Sequence, residues 1–321
     1  MLATDIHPWV VRLAAFVFGA LWGSFFNVAI HRWPRGMSVI SPASHCPACE
    51  QPIPAGRNVP LLGWLLLRGR AGCCGAPISP RYPLVELLGA ALCTALAEAV
   101  VVQAPGGLAL GPALLETLAW FAFAGGLVIA TFVDLEWLEI PDEVTMAGTA
   151  LGLVTVPLRA TPDALSAALG AGGGFLLVQV VFVWAYERLA GRRGMGEGDA
   201  KLLMMIGAFV GWRGALFSLV AGALQGLVVA VAGLLTGRRI GPAASMDSAA
   251  FEETMHAQAS AAERREPREA ANEPPESAEG ADDEGMGRLK IPFGPFLALG
   301  ALEFLFFGER IIEAYLRLVA F

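Results

Sequence analysis

The chain has 321 residues, of which 55% are hydrophobic and only 16% charged, and its mean hydropathy is +0.58. A soluble domain carries about 25% charged residues, so this composition excludes an ordinary water-soluble enzyme and points to the lipid bilayer as solvent. The formal charge of −7 is local: residues 241–288 hold 12 Asp and Glu against 4 Arg, which leaves the rest of the chain close to neutral. No nucleic-acid partner is expected of such a balance.

A helix needs about 20 apolar residues to cross a bilayer. On that length the chain predicts eight transmembrane helices, at roughly 9–30, 84–103, 113–133, 143–160, 164–186, 201–211, 214–235 and 291–319. The sixth is short and interrupted by glycine. The basic cluster follows the first apolar run instead of preceding it, so this run is expected to stay as an uncleaved helix. Arg32, Arg35, Arg57, Arg68, Arg70 and Arg81 lie in segment 31–83, Arg188, Arg192, Arg193 and Lys201 in 187–201, and a third basic group in 236–290. Eight spans put all three segments on one side, which the positive-inside rule makes the cytoplasm. The acidic stretch at 241–288 is rich in Ala, Glu and Pro and cannot bury enough apolar area to offset its ordering entropy, so it is expected to be disordered.

Two aspartates stand at the ends of apolar spans: Asp134 in FVDLEWLEIPDEVT and Asp199 in GMGEGDAKLL. An ionisable residue at a membrane edge is costly and is read as functional by default. The topology brings both to one membrane depth, where a single site could use them for acid–base chemistry on water. Gly194, Gly196 and Gly198 allow close approaches and can aim free N–H groups at a carboxylate. The bland alternative is helix capping, which suits Asp199 and is the preferred reading for Asp142. Glu136, Glu139, Asp142 and Glu197 could attract a basic ligand, or could simply be solvated loop residues.

The loop at 31–83 carries a second constellation. Cys46 and Cys49 have zinc-knuckle spacing, and Cys73 and Cys74 return in the same loop. Four cysteines in a reducing cytosol favour a metal over a disulfide, although free thiols remain the alternative. Cys93, inside the second span, reads as a small packing residue.

These residues carry a family resemblance. GSFFNVAIHRWPRG, SHCPACEQPIP, NVPLLGWLLLRGR, GAPISPRYPLVELL, VDLEWLEIPD, GMGEGDAKLL and IPFGPFLALGAL follow one another in an order and spacing similar to the type IV prepilin peptidases. These are the leader peptidase/N-methyltransferases of type IV pilus and type II secretion systems, within the GxGD-type aspartic membrane proteases. The resemblance implies that Asp134 and Asp199 are the catalytic pair. It implies cleavage of the basic leader from prepilins or pseudopilins at the cytoplasmic face of the bacterial inner membrane. S-adenosylmethionine is implied as donor for N-methylation of the new N-terminus. One departure stands out: where the family has its third cysteine this chain has Ala71, so zinc could use Cys73 with Cys74, use three cysteines, or be lost.

The expected architecture is an all-α polytopic membrane protein of about eight transmembrane helices with a small cytoplasmic Cys-containing loop domain. Its parts are a first helix (1–30), the loop domain (31–83), a peptidase core (84–240), the acidic insert (241–288) and a C-terminal helix (289–321). Two competing readings are a proton-coupled transporter and a non-catalytic zinc-bearing scaffold. The transporter reading would favour mid-membrane carboxylates and an inverted repeat of spans, and neither is visible.

Overall fold

A computed structural model describes residues 2, 5–46, 48–103, 108–191, 195–236 and 292–319. The acidic insert expected at 241–288 lies outside the described residues, as does Gly194. The architecture is α-helical, and among the described residues the only β pairing is three isolated bridges. The helices are α1 (Pro8–Arg32), α2 (Leu62–Leu66), α3 (Arg81–Ala97), α4 (Leu110–Trp137), α5 (Asp142–Val154), α6 (Ala164–Leu176), α7 (Tyr186–Ala190), α8 (Glu197–Thr236) and α9 (Gly294–Val319). A π-helical segment at Leu177–Ala185 joins α6 to α7 without a break, and another at Glu98–Val102 extends α3.

Every expected span overlaps a helix, but the count of eight crossings is not reached on length. Among the described residues five helices are long and apolar enough to cross a membrane. Two expected spans, 201–211 and 214–235, are the two halves of α8, separate helices joined by a sharp kink at Gly211 (φ 73°, ψ 179°), and the second half runs back along α9, with Gly214 beside Phe304 and Gly222 beside Phe296. Helix α5 has 13 residues, about 20 Å of helix against about 30 Å of hydrocarbon. The apolar part of α9 runs only from Gly294 to Gly308.

The kink is stabilised by one buried cation. Breaking a helix frees the last carbonyls of its first half. Arg159, five residues beyond the end of α5 and just after a 3-10 turn at Val156–Leu158, donates to Phe209 O at 2.6 Å, to Ala208 O at 3.2 Å, and to Gly152 O on α5. Its guanidinium lies over the rings of Trp120 and Phe209, at 5.0 and 4.8 Å from their centroids. Phe209 in turn stacks on Phe123 of α4 at 4.5 Å, in the middle of the core. Lipid gives no hydrophobic drive for helices to associate, so close backbone approach must hold them. Gly207 of α8 meets the backbone of Gly170 on α6 so closely that a Cβ at either position would overlap the other strand of backbone. Cys93 is buried on α3 beside α1, as a packing residue.

Helix polarity gathers the chemistry at one end of this bundle. The C-termini of α1 and α4 and the first residues of α5 and α8 line one cavity. The start of α9 joins them through a hydrogen bond from Gly294 to α4. The ion pair of Arg12 with Glu98, between the start of α1 and the end of α3, marks the opposite end.

Candidate active site and metal centre

Asp134 is three residues from the end of α4, and both it and Asp199 are buried. Leu138 adopts a left-handed conformation (φ 55°) and donates its N–H to Asp134 O, which ends α4 and turns the chain through Ile140 and Pro141 into α5. Asp199 is the third residue of α8, and its Oδ2 accepts from Gly196 N at 3.2 Å. An acidic side chain at that position turning back to the residue before the helix is one half of a capping box. Asp199 is thus not itself the N-cap that the sequence suggested, because it lies inside the helix and reaches back to Gly196, and the same carboxylate also faces the cavity. Gly198 lets this turn sit against Ile140, where a Cβ would come within 3.1 Å of the isoleucine Cβ.

The cavity measures about 500 Å3 and is lined by residues of both aspartate segments together with Trp33 and Pro34. Asp134 and Asp199, far apart in sequence, share it. Two carboxyls in one enclosed space can hold a proton on one and a charge on the other. Asp142 opens α5 as expected but makes no side-chain cap. Its two oxygens accept from Lys201 Nζ at 2.6 and 2.7 Å, tying α5 to α8 across the cavity. Glu136 is likewise occupied, paired with Arg81 at the start of α3. Of the four acidic residues expected to attract a basic ligand, two are thus already neutralised. Glu139 and Glu197 line the cavity, and Glu143, which sequence reasoning passed over, joins them.

The cysteine loop docks on this site from the side of α1 and α3. Arg35 lies over the Trp137 ring at 4.9 Å, and Leu61 N donates to Glu86 Oε2 at 2.7 Å. Within the loop two short turns repeat one pattern. In the first, Cys46 N donates to Gln51 O, Glu50 N to Cys46 O and Ile53 N to Ser44 O, and a bridge joins His45 to Pro52. In the second, Ala71 N donates to Ala76 O, Gly75 N to Ala71 O and Ile78 N to Gly69 O, and a bridge joins Arg70 to Pro77. The two turns match residue for residue, so Cys49 corresponds to Cys74, and Cys46 to Ala71.

Cys73 makes up for the missing thiol from the tip of the second turn. The sulfurs of Cys46, Cys49, Cys73 and Cys74 all lie within 4.8 Å of one another. Cys46 is 3.8 Å from Cys74, Cys49 is 3.4 Å from Cys73, and Cys73 is 3.9 Å from Cys74. A tetrahedral zinc with Zn–S bonds of about 2.3 Å needs sulfur separations of about 3.8 Å, so the four residues fit that ion. Backbone N–H groups, that of Ala48 foremost, bring the Cys46 thiol down to about 7. Hydrogen bonding with Cys49 pushes Cys73 up to about 12.

Five helices long and apolar enough to cross a membrane, with two buried aspartates sharing a cavity at one end of the bundle, are the features of a multi-pass membrane protein. The chain matches two family models: the bacterial Peptidase A24 N-terminal domain over residues 17–100, and the type IV leader peptidase family over residues 121–231. It is similar to the prepilin leader peptidase/N-methyltransferase of Aeromonas hydrophila, 38% identical over 248 residues that cover 68% of this chain and 81% of that one. The protein of the same name from Klebsiella pneumoniae is 40% identical over 214 residues (64% and 88% of the two chains). That of Myxococcus xanthus (strain DK1622) is 33% identical over 329 residues (93% and 92%). The chain belongs to the type IV leader peptidase family and is a peptidase. No solved structure matches it significantly.

Proposed function

We propose that the protein is a membrane aspartic endopeptidase with Asp134 and Asp199 as its catalytic pair. It removes the basic leader from prepilins or pseudopilins at the cytoplasmic face of the bacterial inner membrane. N-methylation of the new N-terminus from S-adenosylmethionine follows. The observation that carries this reading is the meeting of both aspartates, buried, in one cavity that opens at one end of the bundle. One carboxylate takes a proton from water as the water oxygen adds to the scissile carbonyl carbon. The other, protonated, gives its proton to the carbonyl oxygen. The resulting diol breaks its C–N bond, the nitrogen takes a proton from the pair, and a new carboxylate and a new N-terminus leave.

Glu139 and Glu143 place negative potential at the cavity, the sign that holds a basic leader. The substrate's apolar helix would lie in the bilayer beside α4 and α8. The methyl donor carries a sulfonium cation, which this acidic lining suits, and the cavity volume lies in the range that holds a small ligand. Cys46, Cys49, Cys73 and Cys74 would hold zinc, which fixes the two turns of the loop to one another. Arg35 on Trp137 and Arg81 on Glu136 then transmit that order to the end of α4.

Co-expression with a prepilin, followed by mass analysis of the pilin N-terminus, tests the reading. Loss of the leader together with an added methyl group is expected. An uncut pilin in the presence of the membrane-inserted protein would sink the peptidase assignment. A cut but unmethylated N-terminus would retire the second activity alone.

A further inference from the structure

Helix α9 begins at Gly294, immediately beside Asp134. The first N–H groups of a helix have no partner within it, and Pro295, next in the chain, has no N–H to offer. The Gly294 N–H is spent on the site: it donates to Asp134 Oδ2 at 2.8 Å, across 160 residues of sequence, in a buried environment. The fit is tight. A Cβ at Gly294 would lie 2.7 Å from Asp134 Oδ2 and 3.2 Å from both Asp134 Cγ and Ile140 Cδ1. Gly294 is itself buried, and Phe293 before it packs on the core, so the donor cannot swing aside. Asp199, by contrast, is held at 3.2 Å by Gly196 of its own turn. Gly294 also lies beyond the residues that either family model matches.

We infer that Gly294 is a positioning residue for the reaction, its N–H anchoring Oδ2 of Asp134 so that Oδ1 is the oxygen presented to water. This rests on the paired-carboxylate reading above. It adds the start of α9 to the site, behind Asp134, with the helix N-terminus directed at a carboxylate. Glycine is required there because any side chain would push the carboxylate off its anchor.

The test uses the full chain, purified in detergent, with a prepilin substrate. Gly294→Ala should lower kcat by about ten- to a hundred-fold, the size of one hydrogen bond to a charged group. KM should change by less than about two-fold, since the leader is bound elsewhere. Gly300→Ala is the control: it is on the same helix, where a Cβ would meet Ser218 O at 3.0 Å. It should lower the melting temperature and leave kcat in place. A second measurement does not depend on activity. Gly294→Ala should lower the melting temperature of the otherwise unchanged protein but have much less effect in an Asp134→Ala background, where the clashing oxygen is gone. If Gly294→Ala alone fails to accumulate, recovery of the double variant gives the same answer. An unchanged kcat, an equal melting loss in both backgrounds, or no recovery of the double variant would each overturn the inference. Failure of the paired-carboxylate reading would show differently: Asp134→Asn would still cut, while the melting comparison would stand.

Discussion

At the residue scale, chemistry was legible where it costs energy to place. A charge at the edge of an apolar run needs a reason, and that cost, together with the resemblance, singled out Asp134 and Asp199 as candidates. Backbone groups leave no such mark. The Gly294 N–H is one of many helix-start donors in the sequence, and only the fold brings it to Asp134. Ion pairing was equally hidden: Glu136 and Asp142 read as free acids until Arg81 and Lys201 are seen beside them. The two pairs differ in consequence. Asp142 is well exposed, so Lys201→Met should cost little stability, well under about 1 kcal/mol. Glu136 and Arg81 are mostly covered, and Arg81 Nε already lacks a partner. Glu136→Gln should therefore destabilise the protein by about 1–3 kcal/mol. Exchanging the two residues should restore part of the loss. Thermal unfolding in detergent reads both variants, and equal small losses would show that the Arg81 pair is no more than a surface contact.

At the element scale, every expected apolar run overlaps a helix, while five helices among the described residues are long and apolar enough on their own to cross the bilayer. Hydropathy reports what lipid tolerates, whereas the lengths of α5 and of the two halves of α8 are set by Arg159 and Gly211. Neither residue stands out in a hydropathy plot. The cysteine loop shows the same limit. Ala71 in place of a cysteine made a four-thiolate site doubtful from spacing. The matched hydrogen bonds of the two turns show that Ala71 holds the position of Cys46 and that Cys73 reaches the same cluster from another place on the turn. Zinc should accordingly bind at about one ion per chain, with four thiolates, in protein purified without chelators. Cys73→Ala should lower that occupancy, and adding Ala71→Cys to it should bring it back. Elemental analysis decides: full zinc in Cys73→Ala, or no recovery in the double variant, would mean that the second turn does not supply a ligand at either position.

At the scale of the whole molecule, the arginine distribution and the helix polarity agree on which end is which. The end that carries the aspartates also carries Arg35, Arg57 and Arg81, and the Arg12–Glu98 pair lies at the other. If the site faces the cytoplasm, single cysteines introduced into segment 187–195 should escape membrane-impermeant labelling in intact cells. One introduced into segment 104–112 should react. The reverse pattern would turn the molecule over. The all-α membrane class, and the sharing of one cavity by Asp134 and Asp199, were readable from one sequence because bilayer burial imposes strong rules on both. The surroundings of the site were not, because the starts of α5 and α9 meet the end of α4 only through the fold. The account stands or falls on Asp134 and Asp199 acting as one unit. The direct measurement is the rate of prepilin cleavage by Asp134→Asn, Asp199→Asn and the double variant, each shown to insert in the membrane. Each single change should abolish cleavage, and the double should be no worse than either. Near wild-type cleavage by either single variant would contradict it.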